Sequence, residues 1–263
     1  MQFVHINGVL IHYRLQRADE QRPVLVFVNS LGTDSRIWHH ELPKLTDHYT
    51  VLTYDKRGHG LSDLANPPYS IADHVADLAG LLDHLGLSQV IVCGLSVGGL
   101  IGQGLYAKRP DLVKALILSN TAHKIGNAET WNNRIAAVEQ NGIGSILDAI
   151  MERWFTEPFR KPENPAYRAY CNMLVRQPAT GYSGTCAAIR DADFTEDAKK
   201  IAIPVLCIAG QQDGSTPPEL VKSLADLIPG ARYEILEDAA HIPCVEAPAA
   251  HAALIRGFID QLD

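Results

Sequence analysis

"VCGLSVGG" (residues 92–99) sets a serine among glycines, with an apolar run before it and another after it. Three readings compete: a nucleophile on a tight turn, a loop cradling phosphate, or a purely structural strand-to-helix turn. The flanks narrow them. "VIVCG" (90–94) is a continuous apolar stretch of the kind found in strands buried on both faces. Residues 97–108 have helical spacing and end before Pro110. Strand, Gly94-Leu95-Ser96-Val97-Gly98, helix is the context of a nucleophile elbow. So tight a turn leaves no room for bulk at either glycine, and it lifts the hydroxyl out at the end of the sheet. The N-terminus of the following helix favours negative charge developing there. The phosphate reading needs GxGxxG or GxxxxGK[ST], and the turn has neither.

The same rhythm extends outward. An Asn7-Gly8 turn joins Phe3–Ile6 to Val9–Leu15 in a predicted hairpin. Buried strands are expected at 24–28, 51–55, 90–94 and 115–119, with a helix over 74–87 that stops near Gly86. Residues 122–190 then carry no buried-strand run. They hold Trp131, Trp154, the proline-rich "TEPFRKPENP" and short helical pieces. After Pro204 the rhythm resumes with strands at 205–210 and 232–236, a helix on "PPELVKSLADLI" and a closing helix on "PAAHAALIRGFIDQL". Alternating strands and helices predict an α/β fold, a mostly parallel sheet covered on both faces. The core is expected over 1–121 and 191–263, with 122–190 as an inserted helical cap.

A serine hydroxyl is a weak nucleophile and needs a base, itself oriented by an acid. In such a sheet both should follow later strands, at their carboxyl ends. The strand at 205–210 leads into "QQDGSTPP", which supplies Asp213. The strand at 232–236 leads into "EDAAHIPCVEAP", which supplies His241. Each has a plainer alternative. Asp213 could only stabilise an Asp-Gly turn, and Asp238 could be the acid. His241 is one of 11 histidines. Of the others, His39 and His40 are expected to begin a helix, His74 and His84 lie on one, His5 and His12 belong to the hairpin, His59 sits in a loop near the site, and His123 stands at the entrance to the insertion. An oxyanion needs two donors. The backbone N–H of Val97 is one candidate, and that of Leu31 in "NSLGTD" (29–34) is the other.

Composition excludes other classes. The 263 residues are 46% hydrophobic and 20% charged, with a formal net charge of −7. That balance argues against a nucleic-acid partner, which wants a basic face. The five cysteines are odd in number, widely spaced and without CxxC, so neither a disulfide scaffold nor a zinc site is expected. No signal-like or membrane-spanning run is evident, which points by elimination to the cytoplasm.

With these residues assembled, the chain resembles the α/β-hydrolase superfamily along nearly its whole length. The likeness rests on "NSLGTDSRIW", "YDKRGHGLSD", "GLSVGG", "IAGQQD" and "DAAHIPCVEAP". Where many members read His-Gly after the strand at 24–28, this chain reads Asn29-Ser30. Within the superfamily it is similar to the 3-oxoadipate enol-lactonases of bacterial aromatic catabolism. "NSLGTDSRIWHHELPKL", "DKRGHGLSD", "GLSVGGLIGQGLYAKRPDLVKALILSNTAHKIG" and "TWNNRI" carry that likeness. It implies an α/β-hydrolase fold, a small lactone substrate with a carboxylate arm, no cofactor and no metal. Broad carboxylesterases, perhydrolases and low-turnover ligand receptors of the same fold are the rival activities. In "AETWNNRIAAVEQ" (128–140), Trp131 and Arg134 share a helix face at i, i+3. Arg134 could fork onto the carboxylate while Trp131 walls the ring; an ordinary solvated arginine beside a core tryptophan is the alternative. "DKRGHGLSD" (55–63) reads as structural, Asp55 and Arg57 satisfying buried backbone groups and each other.

Overall fold

The computed structural model describes residues 1–18 and 22–262. Asn7 and Gly8 both adopt positive φ, 50° and 77°, the geometry of a two-residue hairpin turn. They join β1 (Gln2–Ile6) to β2 (Val9–Gln16). Six more strands complete one sheet: β3 (Val24–Val28), β4 (Thr50–Tyr54), β5 (Val90–Leu95), β6 (Val113–Ser119), β7 (Val205–Gly210) and β8 (Arg232–Leu236). Their spatial order is β1-β2-β4-β3-β5-β6-β7-β8. β1 and β2, and β2 and β4, pair antiparallel; every pair from β4 to β8 is parallel. β5 and β7 are buried along their whole length, as expected of strands covered on both faces.

Helices supply the cover. α1 (Ile71–Leu85) begins three residues before the expected 74, because Ser70 and Asp73 form a reciprocal capping box. Its end is as read: Gly86 takes the left-handed conformation at φ 65°. Leu78, Leu81 and Leu82 of α1 are fully buried, and truncating any one to alanine should cost about 2–5 kcal/mol. α2 (Val97–Lys108) follows β5 directly. Between β6 and β7 the chain forms α3 (Ala128–Asn141), α4 (Leu147–Trp154), α5 (Pro165–Val175), α6 (Ala179–Arg190) and the short α7 (Thr195–Ala198). α8 (Pro218–Leu227) links β7 to β8, and α9 (Pro243–Glu246) and α10 (Pro248–Ile259) close the chain. His39 and His40 do not begin a helix. They follow a single 3-10 turn, Ser35–Trp38, whose N-terminus is capped by the Asp34 side chain.

Candidate active site

Ser96 sits at φ 58°, ψ −118° between β5 and α2. A non-glycine residue holds so unfavourable a backbone only where its surroundings over-determine it. The glycines show how. A Cβ on Gly94 would strike the Gly98 carbonyl of α2, and one on Gly98 would strike the Val28 carbonyl at the end of β3. The backbone is pinned as well: Ser96 N–H donates to Ser119 O (3.0 Å), and the Thr121 hydroxyl donates to Ser96 O (2.6 Å). β5, α2 and β6 thus meet at one serine, which is 7% exposed.

Asp213 follows β7 and His241 follows β8, on strands adjacent in the sheet. His241 Nδ1 lies 2.8 Å from Asp213 Oδ2, with both side chains buried. Asp213 also makes the Asx turn of its plainer reading. Its Oδ1 accepts from Ser215 N–H (2.7 Å) and Thr216 N–H (3.0 Å), and its Oδ2 accepts from the Thr216 hydroxyl (2.7 Å) and Asn120 Nδ2 (2.9 Å). Burial pushes this carboxyl up, but the charge and hydrogen bond of His241 and the other donors outweigh it, and its pKa falls below the ordinary value. Asp238 is exposed and takes no part. Among the described residues no hydrogen bond joins the Ser96 hydroxyl to His241; unliganded catalytic contacts are often this open.

The Leu31 and Val97 backbone N–H groups have no hydrogen-bond partner among the described residues, so both remain available as donors. The loop carrying Leu31 is braced from below by "DKRGHGLSD". Lys56 Nζ donates to Ser30 O (2.6 Å), Gly32 N–H donates to His59 Nε2 (3.1 Å), and Ser35 N–H donates to Asp55 Oδ1 (2.7 Å). Burial drives the Lys56 amine down to about 7, against the pull of Asp55 and Asp34. Burial likewise keeps His59 well below the ordinary histidine range, with nearby Lys56 adding to the effect. A neutral His59 can therefore accept from Gly32 at Nε2. The structural reading of this segment holds, with one correction. Asp55 and Arg57 do not satisfy each other. Asp55 pairs with His12 Nδ1 (2.8 Å), and Arg57 forks onto Asp77 (2.6 and 2.7 Å). Both partners come from elements that the sequence spacing does not put next to this loop.

The inserted helices overhang the same loops. A Cβ on Gly32 would meet Leu174 of α5 (2.6 Å), Tyr182 of α6 (3.0 Å) and Trp154 of α4 (3.4 Å). His241 N–H donates to Trp154 O (3.1 Å). Glu246 ties Thr156 to Ala240, accepting from Thr156 N–H (2.9 Å) and Ala240 N–H (2.8 Å). Arg134 lies over Trp131, its guanidinium carbon 4.7 Å from the ring centroid. The Trp131 indole N–H donates to Ile125 O (2.6 Å). Burial pushes the Tyr182 hydroxyl and the Cys186 thiol up, the thiol to about 12, while the positive charge of Arg134 pulls both back. Arg134 thus lies within electrostatic reach of Tyr182, whose ring borders Gly32.

A serine on a strained strand-to-helix elbow, with histidine and aspartate after later strands of a mostly parallel sheet, defines the hydrolase class of this architecture. A family model described as alpha/beta hydrolase fold matches residues 23–248, and the chain belongs to that family. It is a hydrolase, and it is similar to enol-lactonases. It is 39% identical to 3-oxoadipate enol-lactonase 2 of Acinetobacter baylyi, over 87% of this chain and 85% of that one. It is 32% identical to 3-oxoadipate enol-lactonase 1 of the same organism, over 92% and 91%. The crystal structure of the enol-lactonase from Burkholderia xenovorans LB400 superposes with a TM-score of 0.95 at 35% identity, covering 99% of this chain and all of that one. No helix among the described residues is long and apolar enough to cross a membrane.

Sequence reading missed Glu41, His251, Asn120 and Lys56. Glu41 and His251 lie 210 residues apart, and only the fold brings them together. A lysine in a glycine-rich loop gives no sign that it will be fully buried. Asn120, directly after a buried strand, was the most readable of the four, because polar residues in such positions tend to line sites.

Proposed function

We propose that this chain hydrolyses a small enol-lactone bearing a carboxymethyl arm, 3-oxoadipate enol-lactone, to 3-oxoadipate, a step of aromatic-compound catabolism. Ser96 is the nucleophile, His241 its base, and Asp213 the orienting acid. The observation that carries the reading is the buried 2.8 Å contact from His241 to a carboxylate held ionised, two strands across from a serine on a strained elbow.

Ser96 Oγ attacks the lactone carbonyl while its proton passes to His241. Asp213 holds the imidazole in one tautomer and offsets its positive charge. The tetrahedral oxyanion receives the N–H groups of Leu31 and Val97. Collapse breaks the ring C–O bond, and the ring oxygen leaves as an enol. That enol remains tethered in the acyl-enzyme and could reclose the ring at high effective molarity. Its protonation at carbon to the ketone makes the opening productive. His241 then takes a proton from water, the hydroxide attacks the ester, and 3-oxoadipate departs as Ser96 regains its proton.

Residues 122–190 act as a cap in this scheme, excluding water from the site. Within it, Arg134 pairs with the substrate carboxylate and Trp131 walls the ring. The overhang of Trp154, Leu174 and Tyr182 above Gly32 supports this role. The test is the fall in enol-lactone absorbance with purified protein, with Ser96→Ala alongside, and p-nitrophenyl acetate and acetate with peroxide as rival substrates. Near-normal turnover by Ser96→Ala, or preference for a rival substrate, would reject the proposal.

A further inference from the structure

Behind the candidate triad runs a second histidine–carboxylate pair that the scheme above does not use. Glu41 and His251 are completely buried, and His251 Nδ1 lies 2.6 Å from Glu41 Oε1. His251 Nε2 lies 3.1 Å from Ser119 Oγ, which is 2.9 Å from Asn120 Oδ1. Asn120 Nδ2 donates to Asp213 Oδ2 (2.9 Å) and to Ala240 O (3.1 Å). Polar contacts therefore run without a break from Glu41 to the acid beside His241. Ser119 and Asn120 are also fully buried, so each link lies away from bulk solvent.

Hydrogen counting gives the chain a direction. Asp213 carboxylate and Ala240 carbonyl oxygens only accept, so the Asn120 amide must face them with its NH₂. Its Oδ1 then faces Ser119 and can only accept, so the single Ser119 hydroxyl hydrogen is committed to it. His251 Nε2 must in turn donate to Ser119 Oγ, and so it carries a hydrogen. At the other end, a bare Nδ1 facing a bare carboxylate oxygen at 2.6 Å would set lone pair against lone pair, so a second proton lies between them. The two side chains together hold two protons and no net charge. The Glu41 Oε2 is buried and unpartnered among the described residues. Such surroundings favour a pair without net charge over an isolated anion.

We propose that Glu41 and His251 are positioning residues for the triad, an inference that rests on the reading of Asp213 and His241 given above. Their protons satisfy the chain from its far end: with a hydrogen on His251 Nε2, the Ser119 hydroxyl is left to donate to Asn120 Oδ1. That bond adds to the hold of Asp213 and Ala240 on the amide nitrogen, and its loss frees the Asn120 side chain to turn. An inverted amide would set a carbonyl dipole against the carboxylate and loosen the orientation of His241. Ser119 couples the chain to the nucleophile as well, since its carbonyl accepts the Ser96 N–H.

Two measurements test this. The first is ¹⁵N NMR of histidine-labelled wild-type protein, with the His251 signals assigned by their loss in His251→Gln. A directly bonded hydrogen on Nε2 at neutral pH is expected; a bare Nε2 overturns the proposal whatever the substrate. The second is a kinetic comparison of two variants on the enol-lactone. In His251→Phe, kcat should fall about tenfold with KM changed less than about twofold. In His251→Gln, whose amide can accept from Glu41 and donate to Ser119, kcat should recover to within about threefold of wild type. Equal kcat in the two variants overturns the positioning role. Ser96→Ala, assayed alongside, separates a failure of the triad reading, which would leave it active, from a failure of this one.

Discussion

Two buried histidine–aspartate pairs in this molecule have nearly the same local geometry. His241–Asp213 and His12–Asp55 both close at 2.8 Å, and both carboxylates accept two backbone N–H groups, from Ser215 and Thr216 in one case and Ser35 and Leu61 in the other. Both acids fall below the ordinary range: burial pushes each up, and histidine and N–H donors outweigh it. They differ in what surrounds them. His12 is on the hairpin, its Nε2 buried with no partner among the described residues and its ring 5.2 Å from that of Phe3. Its aspartate fastens the hairpin to the loops after β3 and β4. His241 follows β8 at the carboxyl end of the sheet, where β5 presents a strained serine and the Leu31 and Val97 N–H groups have no partner among the described residues. The lesson is that pairing and burial do not mark a site. What singles out the His241 pair as the candidate is a strained serine at the same end of the sheet.

Removing the reactive atom is the sharpest way to break the comparison. Ser96→Ala should lower kcat by at least about 10⁴-fold while the thermal melt stays within a few degrees of wild type. Neutralising the two acids in turn should separate their roles. Asp213→Asn should lower kcat about 10³–10⁴-fold, because the imidazole loses its correct tautomer. Asp55→Asn should keep kcat within about threefold yet lower Tm by roughly 3–10 °C, because the loss falls on packing three loops together. Similar kinetics for the two variants would erase the distinction.

A smaller effect bears on specificity. Arg134→Met should reduce kcat/KM on the enol-lactone about 10–100-fold and on a neutral ester of similar size less than about threefold. An equal loss on both would leave Arg134 without a carboxylate role. The smallest effect concerns the brace under Leu31. The Lys56 amine titrates near 7 in the folded protein and at about 10.4 unfolded. Between those values the unfolded chain binds the extra proton, so wild-type stability should rise with pH relative to Lys56→Met. The gain should be lost progressively as pH falls from about 10.4 towards 7, and the difference should level off below 7. Paired melts across this window check the sign, and a flat or opposite difference would show that the amine does not titrate there.

Much of the framework was legible. The hairpin turn, the apolar strands, the elbow and the loops carrying Asp213 and His241 each announce themselves within a few residues. Helix starts were less so: a Ser-x-x-Asp box is a weaker signal than Ser-x-x-Glu, so the apolar periodicity from 74 hid the capped start of α1 at Ile71. The pairing of Asp55 with Arg57 was a reading by proximity along the chain. In the fold, Arg57 turns to α1 and Asp55 to the hairpin.

By itself, then, the sequence determined the order of strands and helices, the tight turn that holds Ser96 at positive φ, and the order along the chain of Ser96, Asp213 and His241, the residues proposed as nucleophile, acid and base. Those follow from local sterics and from the period of apolar residues. Tertiary structure alone decided which partner each buried charge would find: His12 for Asp55, Asp77 for Arg57, and His251 for Glu41. A buried charge must be matched by whatever donors the neighbouring elements bring to it. That company is set by sheet order and helix packing, not by distance along the chain.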